Sequence, residues 1–359
     1  MRAINFSDDR KDWSDAVDLR SLFFRLTIDS STETLFGKSV NSQLLALPDY
    51  LRPKDFKTLD LDEAAFTEAF DTGTDHAAFR AKLGKLGPYA VTKDAKRCEK
   101  VVQGFVEHYV QEALDSTAGE KAEDLESRYV FAEAIARQTR DPKVITAQLL
   151  NILLAGRDTT AALLAYVFRQ LIRHPKVLSD LRREVIATFG TYSHPRDITF
   201  ASLKSCHALQ NVINETLRFN TIVPLNNRTA TRDTTLPRGG GPDGSKPILV
   251  LKGQTVDFST HVMHRRKDLW GPDADEFKPE RFEGRRFGWE FLPFVGGPRI
   301  CIGQQMAIVT ASYVIVRLLQ RYGDIEGTKE EMAAKLGDRA GITATPDRGP
   351  VVRMREAEA

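Results

Sequence analysis

The amino-acid sequence predicts a mainly α-helical fold with a small β part. Apolar residues recur at three- and four-residue spacing through most of the 359-residue chain, which is the period of a helix that buries one face. One stretch, at 234–258, has instead the composition of paired strands. The chain contains no internal repeat, and its length is sufficient for one large hydrophobic core. We therefore expect a single domain over residues 1–359.

Amphipathic helices are expected first, over residues 18–114. Leu and Phe recur at helical spacing near its start, and breaks are predicted near Gly73 and Gly84 because glycine destabilises helix interiors. The polar segment "DSTAGEKAEDLESR" (115–128) then predicts an exposed loop.

A long helix is predicted over residues 141–174. Asp141 can cap its first turn, Pro142 suits the first helical position, and His174-Pro175 marks its end. At 1.5 Å per residue, this helix would be about 50 Å long and would cross a whole domain.

The stretch "AGRDTT" (155–160) lies in the middle of this long helix. Gly156 costs roughly 1 kcal/mol relative to alanine at such a position, and Thr159 can donate a hydrogen bond to the carbonyl of Ala155. Together these residues would open a groove along the helix. Taken alone, the stretch is more typical of a kinked core helix that carries one exposed ion pair.

The second half of the chain contains the β part. A helix is expected over about 202–219, followed by the segment "TTLPRGGGPDGSKPILVLKGQTVDF" (234–258). Its Gly/Pro-rich connection and the turn at Lys252-Gly253 predict a β-hairpin. Residues 265–303 are rich in Pro, Gly and aromatic residues and are expected to be mostly coil, and a last helix follows Cys301.

The composition argues against several classes of protein. A net charge of +2, from 51 Lys and Arg against 49 Asp and Glu, is too balanced for a nucleic-acid binder. The N-terminus has no apolar core of a signal peptide or anchor. The most apolar stretch, 144–168, is interrupted by Arg157 and Asp158, which argues against a membrane span. Three cysteines without CxxC spacing favour a reducing compartment over a zinc site or a disulfide framework.

One of these cysteines, Cys301, lies in an unusual segment, "FVGGPRICIG" (294–303). A cysteine thiolate needs positive potential and N–H donors, and a position just before a helix supplies both. Gly297 and Gly303 leave room for a flat, bulky group to approach the backbone, and Arg299 could bind an anion on that group. An isolated cysteine without these neighbours would be interpreted as a buried apolar residue.

The spacing of these residues resembles that of a known family. Phe294, Gly297, Arg299, Cys301 and Gly303 match the F-x-x-G-x-R-x-C-x-G haem-binding signature of the cytochrome P450 monooxygenases. The resemblance implies a cytochrome P450-like fold, with Cys301 as the axial thiolate ligand of a haem b iron. It also implies that Arg299 pairs with a haem propionate and that Phe294 packs beside the ligand sulfur.

The resemblance extends to a three-residue network. Glu215 and Arg218 in "NETLRF", with Arg281 in "FKPERF", match the Glu–Arg–Arg network that the family buries behind the haem. By itself, a Glu and an Arg three residues apart would be interpreted as a solvated helix pair of little energetic value.

Further positions carry roles that the resemblance implies. Asp158 and Thr159 resemble the acid–alcohol pair that relays protons during oxygen activation, and these two are the candidate catalytic residues. Arg228 lies where the family often has a second propionate partner, although a surface arginine is an alternative. The candidate residues of the substrate pocket are Leu154, Ala155, Val223, Leu225 and Asn226.

The segments "HRRKDLWGPDADEF" (264–277), "GWEFLPF" (288–294) and "VPLNNR" (223–228) resemble the fungal branch that hydroxylates n-alkanes and fatty acids. The resemblance implies a monooxygenase that inserts one oxygen atom of O2 into such chains at or near their end. The chain has no flavin or nicotinamide fingerprint, so electrons from NADPH are expected to come through a partner reductase.

Two alternatives to this function remain open at the level of the sequence. One is a haem-thiolate isomerase or dehydratase of fatty-acid peroxides, against which the Asp158–Thr159 pair argues because such enzymes tend to lose it. The other is a truncated, non-catalytic remnant that binds no haem.

The resemblance covers the chain from about residue 18 onwards. Full-length members begin with a membrane anchor, early strands and a helix with a W-x-x-x-R pair, whereas Trp13 is followed at that spacing by Val17. We therefore expect an N-terminally truncated form or an unusual short form. Full-length relatives are expected on the cytosolic face of the endoplasmic reticulum membrane, and this chain, without an anchor, is expected there or in the cytoplasm.

Overall fold

The computed structural model describes residues 12–54, 56, 61–118, 129–341 and 343–357. Most of the loop that the sequence predicts over 115–128 lies outside the described residues. Contacts between residues divide the chain into two compact units. The first contains the residues up to Ile213 and those from Ile302 onwards, and the second contains Asn214–Cys301.

Helices account for most of the described chain. In order they are α1 (Leu19–Phe36), α2 (Ser42–Leu45), α3 (Glu63–Lys82), α4 (Lys93–Ser116), α5 (Phe131–Ala136), α6 (Pro142–Leu171), α7 (Pro175–Phe189), α8 (Phe200–Ser205), α9 (His207–Phe219), α10 (Thr260–Met263), α11 (Lys267–Trp270), α12 (Gln304–Arg321) and α13 (Lys329–Ala333). Short 3-10 turns occur at Asp49–Leu51, Gly84–Tyr89, Pro279–Phe282 and Gly297–Arg299.

The strands form small antiparallel sheets. In order they are β1 (Val17–Asp18), β2 (Leu225–Thr229), β3 (Thr234–Gly240), β4 (Lys246–Val250), β5 (Thr255–Ser259), β6 (Tyr322–Gly327), β7 (Asp338–Ala340), β8 (Ala344–Pro346) and β9 (Val351–Glu356). One sheet has the order β1-β9-β6, and the other strands pair as β2-β5, β3-β4 and β7-β8. The mainly α fold class with a small β part is therefore confirmed.

The core of the first unit surrounds α6. Residues Ala161 to Leu171 of α6 are buried on every face, as expected for a helix that is apolar all round. On α1, α3 and α4, the rings of Phe36, Phe66, Phe105 and Tyr109 stack on one another, with Phe66 and Phe105 3.9 Å apart between centroids. This packing fixes the position of α6, whose middle carries the "AGRDTT" segment.

Two helix boundaries differ from the sequence prediction. Gly73 lies inside α3 and does not break it: a glycine costs a helix only about 1 kcal/mol, and α3 is stabilised by packing on α4, where a Cβ at Gly73 would make an ordinary contact of 3.5 Å with the Cβ of Cys98. The helix predicted over about 202–219 is interrupted at Cys206, whose backbone is extended (φ −74°, ψ 92°). Ser202 and Thr199 form a capping box that starts α8 separately from α9.

In the β part, the hairpin is formed by β3 and β4 with the Gly-rich connection between them. The chain then turns at Lys252-Gly253, where Gly253 has a φ of +83° that favours glycine. Strand β5, which follows, pairs with β2 and not with β4, so that Asn226 lies opposite Phe258 and Arg228 opposite Val256.

The second unit has its own aromatic core. Trp270 and Phe282 are buried, and Phe287 and Phe291 pack against them, with the rings of Trp270 and Phe287 stacked at 4.9 Å. This core anchors the segment that leads to Cys301. Within the described residues, no helix combines the length and apolarity that crossing a membrane requires.

Candidate functional site

The Cys301 segment folds as a tight turn. The backbone N–H of Cys301 donates to the carbonyl of Phe294 at 3.0 Å, which closes the loop around the 3-10 turn Gly297–Arg299. Gly297 has a φ of +73°, a conformation that side chains rarely adopt. A Cβ at Gly296 would lie 2.8 Å from the ring of Trp289, which would have to move to make room for a side chain there.

The thiol of Cys301 differs from the other two cysteine thiols of the chain in its exposure to solvent. Cys301 is exposed, whereas Cys98 and Cys206 are buried. Ile300 and Ile302, on either side of it in sequence, expose 53% and 97% of their surface. The cysteine is thus a surface thiol between two apolar side chains, which is unusual for a residue type that is ordinarily buried.

The other signature residues surround the thiol in sequence. Phe294 is half-buried, and Arg299 is exposed without an ion pair to any residue in the described part of the chain. Gly303 is the N-cap of α12, and the helix begins at Gln304, three residues after Cys301, without a side-chain cap. The first backbone N–H groups of such a helix have no intrahelical acceptor and favour negative charge nearby.

Glu215 and Arg218 form a fully buried ion pair in the second unit. Two guanidinium nitrogens of Arg218, Nε and Nη2, donate to the two carboxylate oxygens of Glu215 at 2.6 and 2.8 Å, and both side chains are 0% exposed. Arg218 also donates to three backbone carbonyls, those of His264, Ala274 and Glu276, at 2.8 to 3.0 Å. The interpretation of this pair as a solvated one is therefore wrong.

Arg281 joins this network. Its Nε lies 3.6 Å from the Glu215 carboxylate, and its other nitrogens donate to Asp273 and to the carbonyl of Trp270. Hydrogen bonds from Arg281 and Lys278 hold the pKa of Asp273 well below its usual range. The structure thus brings together the three residues that the sequence predicts as a network.

A residue that the sequence analysis did not single out, His264, connects the network to the cysteine segment. Its Nε2 accepts a hydrogen bond from the backbone N–H of Leu292 at 2.9 Å, and its own carbonyl accepts from Arg218. Burial, and then the charge of Arg218, lower the pKa of His264 to about 4, so the ring is neutral at neutral pH. The sequence signal that could have pointed to His264 is its position as the first residue of the segment "HRRKDLW" (264–270).

The groove predicted on α6 has the expected hydrogen bond. The hydroxyl of Thr159 donates to the carbonyl of Ala155 at 2.7 Å. Ala155 and Gly156 are exposed, although most of the helix is buried, and a Cβ at Gly156 would meet only the Ser31 hydroxyl, at 3.7 Å. Thr159, Ala155 and Gly156 therefore line one open strip of α6.

Asp158 lies on the buried side of α6. It is 7% exposed, and one of its carboxylate oxygens accepts from Nη1 of Arg157 at 3.0 Å. Burial raises its pKa, and Arg157 opposes that shift. The alternative of an exposed ion pair in this segment is therefore wrong, because both partners are buried.

The residues predicted for the substrate pocket fall in both units. Leu154 is half-buried on α6. Of the β2 region, Val223 is half-buried and Leu225 is 68% exposed. The buried amide nitrogen of Asn226 has no hydrogen-bond partner within the described residues. Arg228 is exposed and lies 5.7 Å from the ring of Phe258.

Comparison with known proteins identifies the family. The sequence model of the cytochrome P450 family matches residues 4–347. Cytochrome P450 monooxygenase g430 of a Fusarium species is 52% identical over 89% of this chain and 56% of its own length. Cytochrome P450 52A13 of Debaryomyces hansenii and cytochrome P450 52A5 of Candida maltosa are each 47% identical, over 87% and 89% of this chain and 60% and 61% of their own lengths.

The chain therefore spans about three fifths of the length of these relatives. Its fold is similar to that in the crystal structure of the cytochrome P450DA heme domain, with a TM-score of 0.72 and 20% identity over 96% of this chain and 69% of that one. The extent of the family match and the identity to full relatives agree with the signature around Cys301, and the chain belongs to the cytochrome P450 family.

Proposed function

We propose that this chain is, or is the larger part of, a haem-thiolate monooxygenase with Cys301 as the iron ligand. The observation that carries the proposal is the Cys301 loop. It presents the one exposed thiol of the chain within the five-position signature, on a segment that a buried Glu–Arg–Arg network supports. The identity of about half to proteins named cytochrome P450 supports the same activity.

The residues present fit a haem. A thiol is the donor that the haem-thiolate class requires, and the apolar neighbours Ile300 and Ile302 suit the face of a porphyrin. Arg299, exposed and without an ion pair to the described residues, suits a propionate. Arg228, whose Nη1 donates to the neighbouring Asn227 carbonyl, is proposed as a second propionate partner.

When bound, the haem supplies the chemistry that activates dioxygen. The chain's own residues have separate tasks. Glu215, Arg218 and Arg281 fix the segment that leads to Cys301, because each carries several buried hydrogen bonds or ion pairs there. Asp158 holds a proton or releases it on the buried side of α6, and the Thr159 hydroxyl, bonded to Ala155, moves a proton on the open side.

For the substrate, we propose long apolar chains, alkanes or fatty acids, oxidised at or near the end. Two observations support this class: the resemblance to the fungal branch that hydroxylates such chains, and the apolar character of Leu154, Ala155, Val223 and Leu225. Burial of a methylene stabilises a complex by roughly 0.8 kcal/mol, so an apolar site favours longer chains. Electrons are proposed to come from NADPH through a partner reductase, at the endoplasmic reticulum membrane, as the resemblance implies.

The test is replacement of each cysteine in turn. Cys301→Ser should abolish the red-shifted absorption band of the reduced carbonyl complex, because serine cannot supply a thiolate. Cys98→Ser and Cys206→Ser are matched controls that should keep the band, since both residues are buried elsewhere. A band that survives in Cys301→Ser would contradict the proposal.

A further inference from the structure

A cleft of about 580 Å³ in the first unit contains a charge cluster of which the proposed function uses only Asp158. It lies between α1, α3, α6 and the β7–β8 hairpin. Its charged lining includes Asp71 and Asp75 of α3, Arg157 and Asp158 of α6, and Arg339 of the hairpin.

Arg157 lies at the buried end of this cluster. It is 4% exposed, and its guanidinium carbon lies 4.8 Å from the centroid of the Phe24 ring and 5.4 Å from that of Phe70. One terminal nitrogen donates to Asp158 at 3.0 Å, and the other forms an ion pair with Asp71. A single guanidinium, held by two aromatic rings, is thus shared by two carboxylates from different helices.

The two carboxylates have different access to solvent. The side chain of Asp71 is 53% exposed in the cleft, whereas that of Asp158 is 9% exposed. Desolvation raises the pKa of both, and Arg157 opposes the shift in each case. The charge of Asp71 raises the pKa of Asp158 further, because a nearby negative charge disfavours the ionised carboxylate.

Other charges act on the pair from the surrounding elements. Arg20 of α1 lowers the pKa of Asp71, and Asp75, one turn further along α3, raises the pKa of both acids. Arg339 of the hairpin forms an ion pair with Asp75, and Glu68 also lines the cleft. Among the residues that the structure describes, Arg157 is the cation that contacts both acids.

We propose that Arg157 and Asp71 are positioning residues for Asp158: they hold its carboxylate on the buried side of α6 and set when it is free to carry a proton from the cleft. This inference rests on the proposed role of Asp158 in proton delivery. The proton comes from water in the cleft, and Asp71, on the solvent side, is the group that exchanges with that water. When Asp71 is charged it draws Arg157 away from Asp158, and when Asp71 is protonated Arg157 pairs with Asp158 alone.

The first test needs no haem and uses the full chain: urea unfolding of Arg157→Gln and of the unchanged chain as a function of pH. An acid with a raised pKa in the folded state stabilises less as pH rises from its unfolded value of about 3.9 through its folded value. Loss of the Arg157 charge should raise the folded-state pKa of Asp71 and that of Asp158 further. The unfolding midpoint of Arg157→Gln should therefore fall well below that of the unchanged chain at neutral pH, and the deficit should shrink by about half or more toward pH 4.

Three further variants complete this test. Asp71→Asn should flatten the pH dependence, because it removes one of the two titrating groups and the repulsion acting on the other. Arg157→Lys should bring the curve part of the way back from that of Arg157→Gln to that of the unchanged chain, because it keeps the charge. Arg339→Gln, which removes a cation of the same cleft that does not contact Asp158, should leave the curve parallel to that of the unchanged chain.

In the haem-loaded enzyme, the pH at which half of the consumed NADPH appears as product should move up in Arg157→Gln and down in Asp71→Asn. A deficit in Arg157→Gln that is equal at every pH would show a packing role only and would overturn the inference. If Arg157→Gln does not fold, the test is Asp71→Asn. The inference would also be overturned if the unfolding midpoint of Asp71→Asn varied with pH in the same way as that of the unchanged chain. The unfolding results should be the same in Cys301→Ser, so failure of the haem assignment can be told apart from failure of this inference.

Discussion

Removal of the Glu215 carboxylate is expected to be the most destabilising single change in the second unit. In Glu215→Ala, the Arg218 guanidinium stays 0% exposed but loses two hydrogen bonds, of 2.6 and 2.8 Å, and Arg281 loses its ion pair at 3.6 Å. Lys278 also loses the acceptor of its backbone N–H, at 2.8 Å. Breaking a buried pair by removing one partner costs about 3–5 kcal/mol, because the other charge is left uncompensated. That is a large share of a typical stability of about 5–15 kcal/mol.

The assay is urea unfolding followed by tryptophan fluorescence. Trp270 is buried in the second unit, with its ring 5.2 Å from the Arg218 guanidinium carbon, so its emission reports on this core. At an m-value of about 1–3 kcal/mol/M, the midpoint should fall by at least about 1 M. The matched control is Arg266→Ala, which removes an exposed ion pair with Asp268 and should not move the midpoint measurably. Equal midpoints for the two variants would refute the reasoning.

Three further predictions concern His264, Thr159 and the substrate. The folded-state pKa of His264, about 4, lies below its unfolded value of 6.5, so between these two pH values the unfolded state binds a proton that the folded state does not. The free energy of unfolding should therefore fall as pH falls from 6.5 to about 4. His264→Gln should lose this dependence when unfolding is measured as a function of pH. Thr159→Ala in the haem-loaded, reductase-coupled enzyme should keep consuming NADPH but release peroxide in place of product, and unchanged coupling would exclude the role. In spin-state titrations, affinity should rise about fourfold per added methylene until the site is full, and a preference for a rigid polycyclic ligand would contradict the proposed substrate class.

The sequence was sufficient to predict the parts of the site that depend on local chemistry. The Cys301 loop depends on Gly297, whose φ of +73° is one that other residues rarely adopt. The hydrogen bond from Thr159 to Ala155 follows from helix geometry alone. Such features are readable because the residues that interact are near each other in the chain.

Contacts between distant segments could not be derived from residue spacing, and the contact of Arg281 with the Glu215–Arg218 pair was predicted only through the family resemblance. The Glu215–Arg218 spacing is the same in a solvated pair and in a buried one. What distinguishes this buried pair is the contact of Arg218 with carbonyls of residues 264–276, which are distant in sequence. Likewise, nothing in the sequence pairs Arg157 with Asp71, which lies 86 positions earlier on α3. The break predicted at Gly73 was wrong for the same reason, since α3 is stabilised there by tertiary packing against α4, which the sequence does not reveal.

The most direct test of the central claim is to identify the atom bound to iron. X-ray absorption at the iron edge of the haem-loaded chain should show a sulfur neighbour. That sulfur should persist in the double variant Cys98→Ser/Cys206→Ser and disappear in Cys301→Ser, because Cys301 is the exposed thiol of the signature loop. Only nitrogen or oxygen neighbours in the unchanged chain, or a sulfur neighbour that remains in Cys301→Ser, would contradict the account.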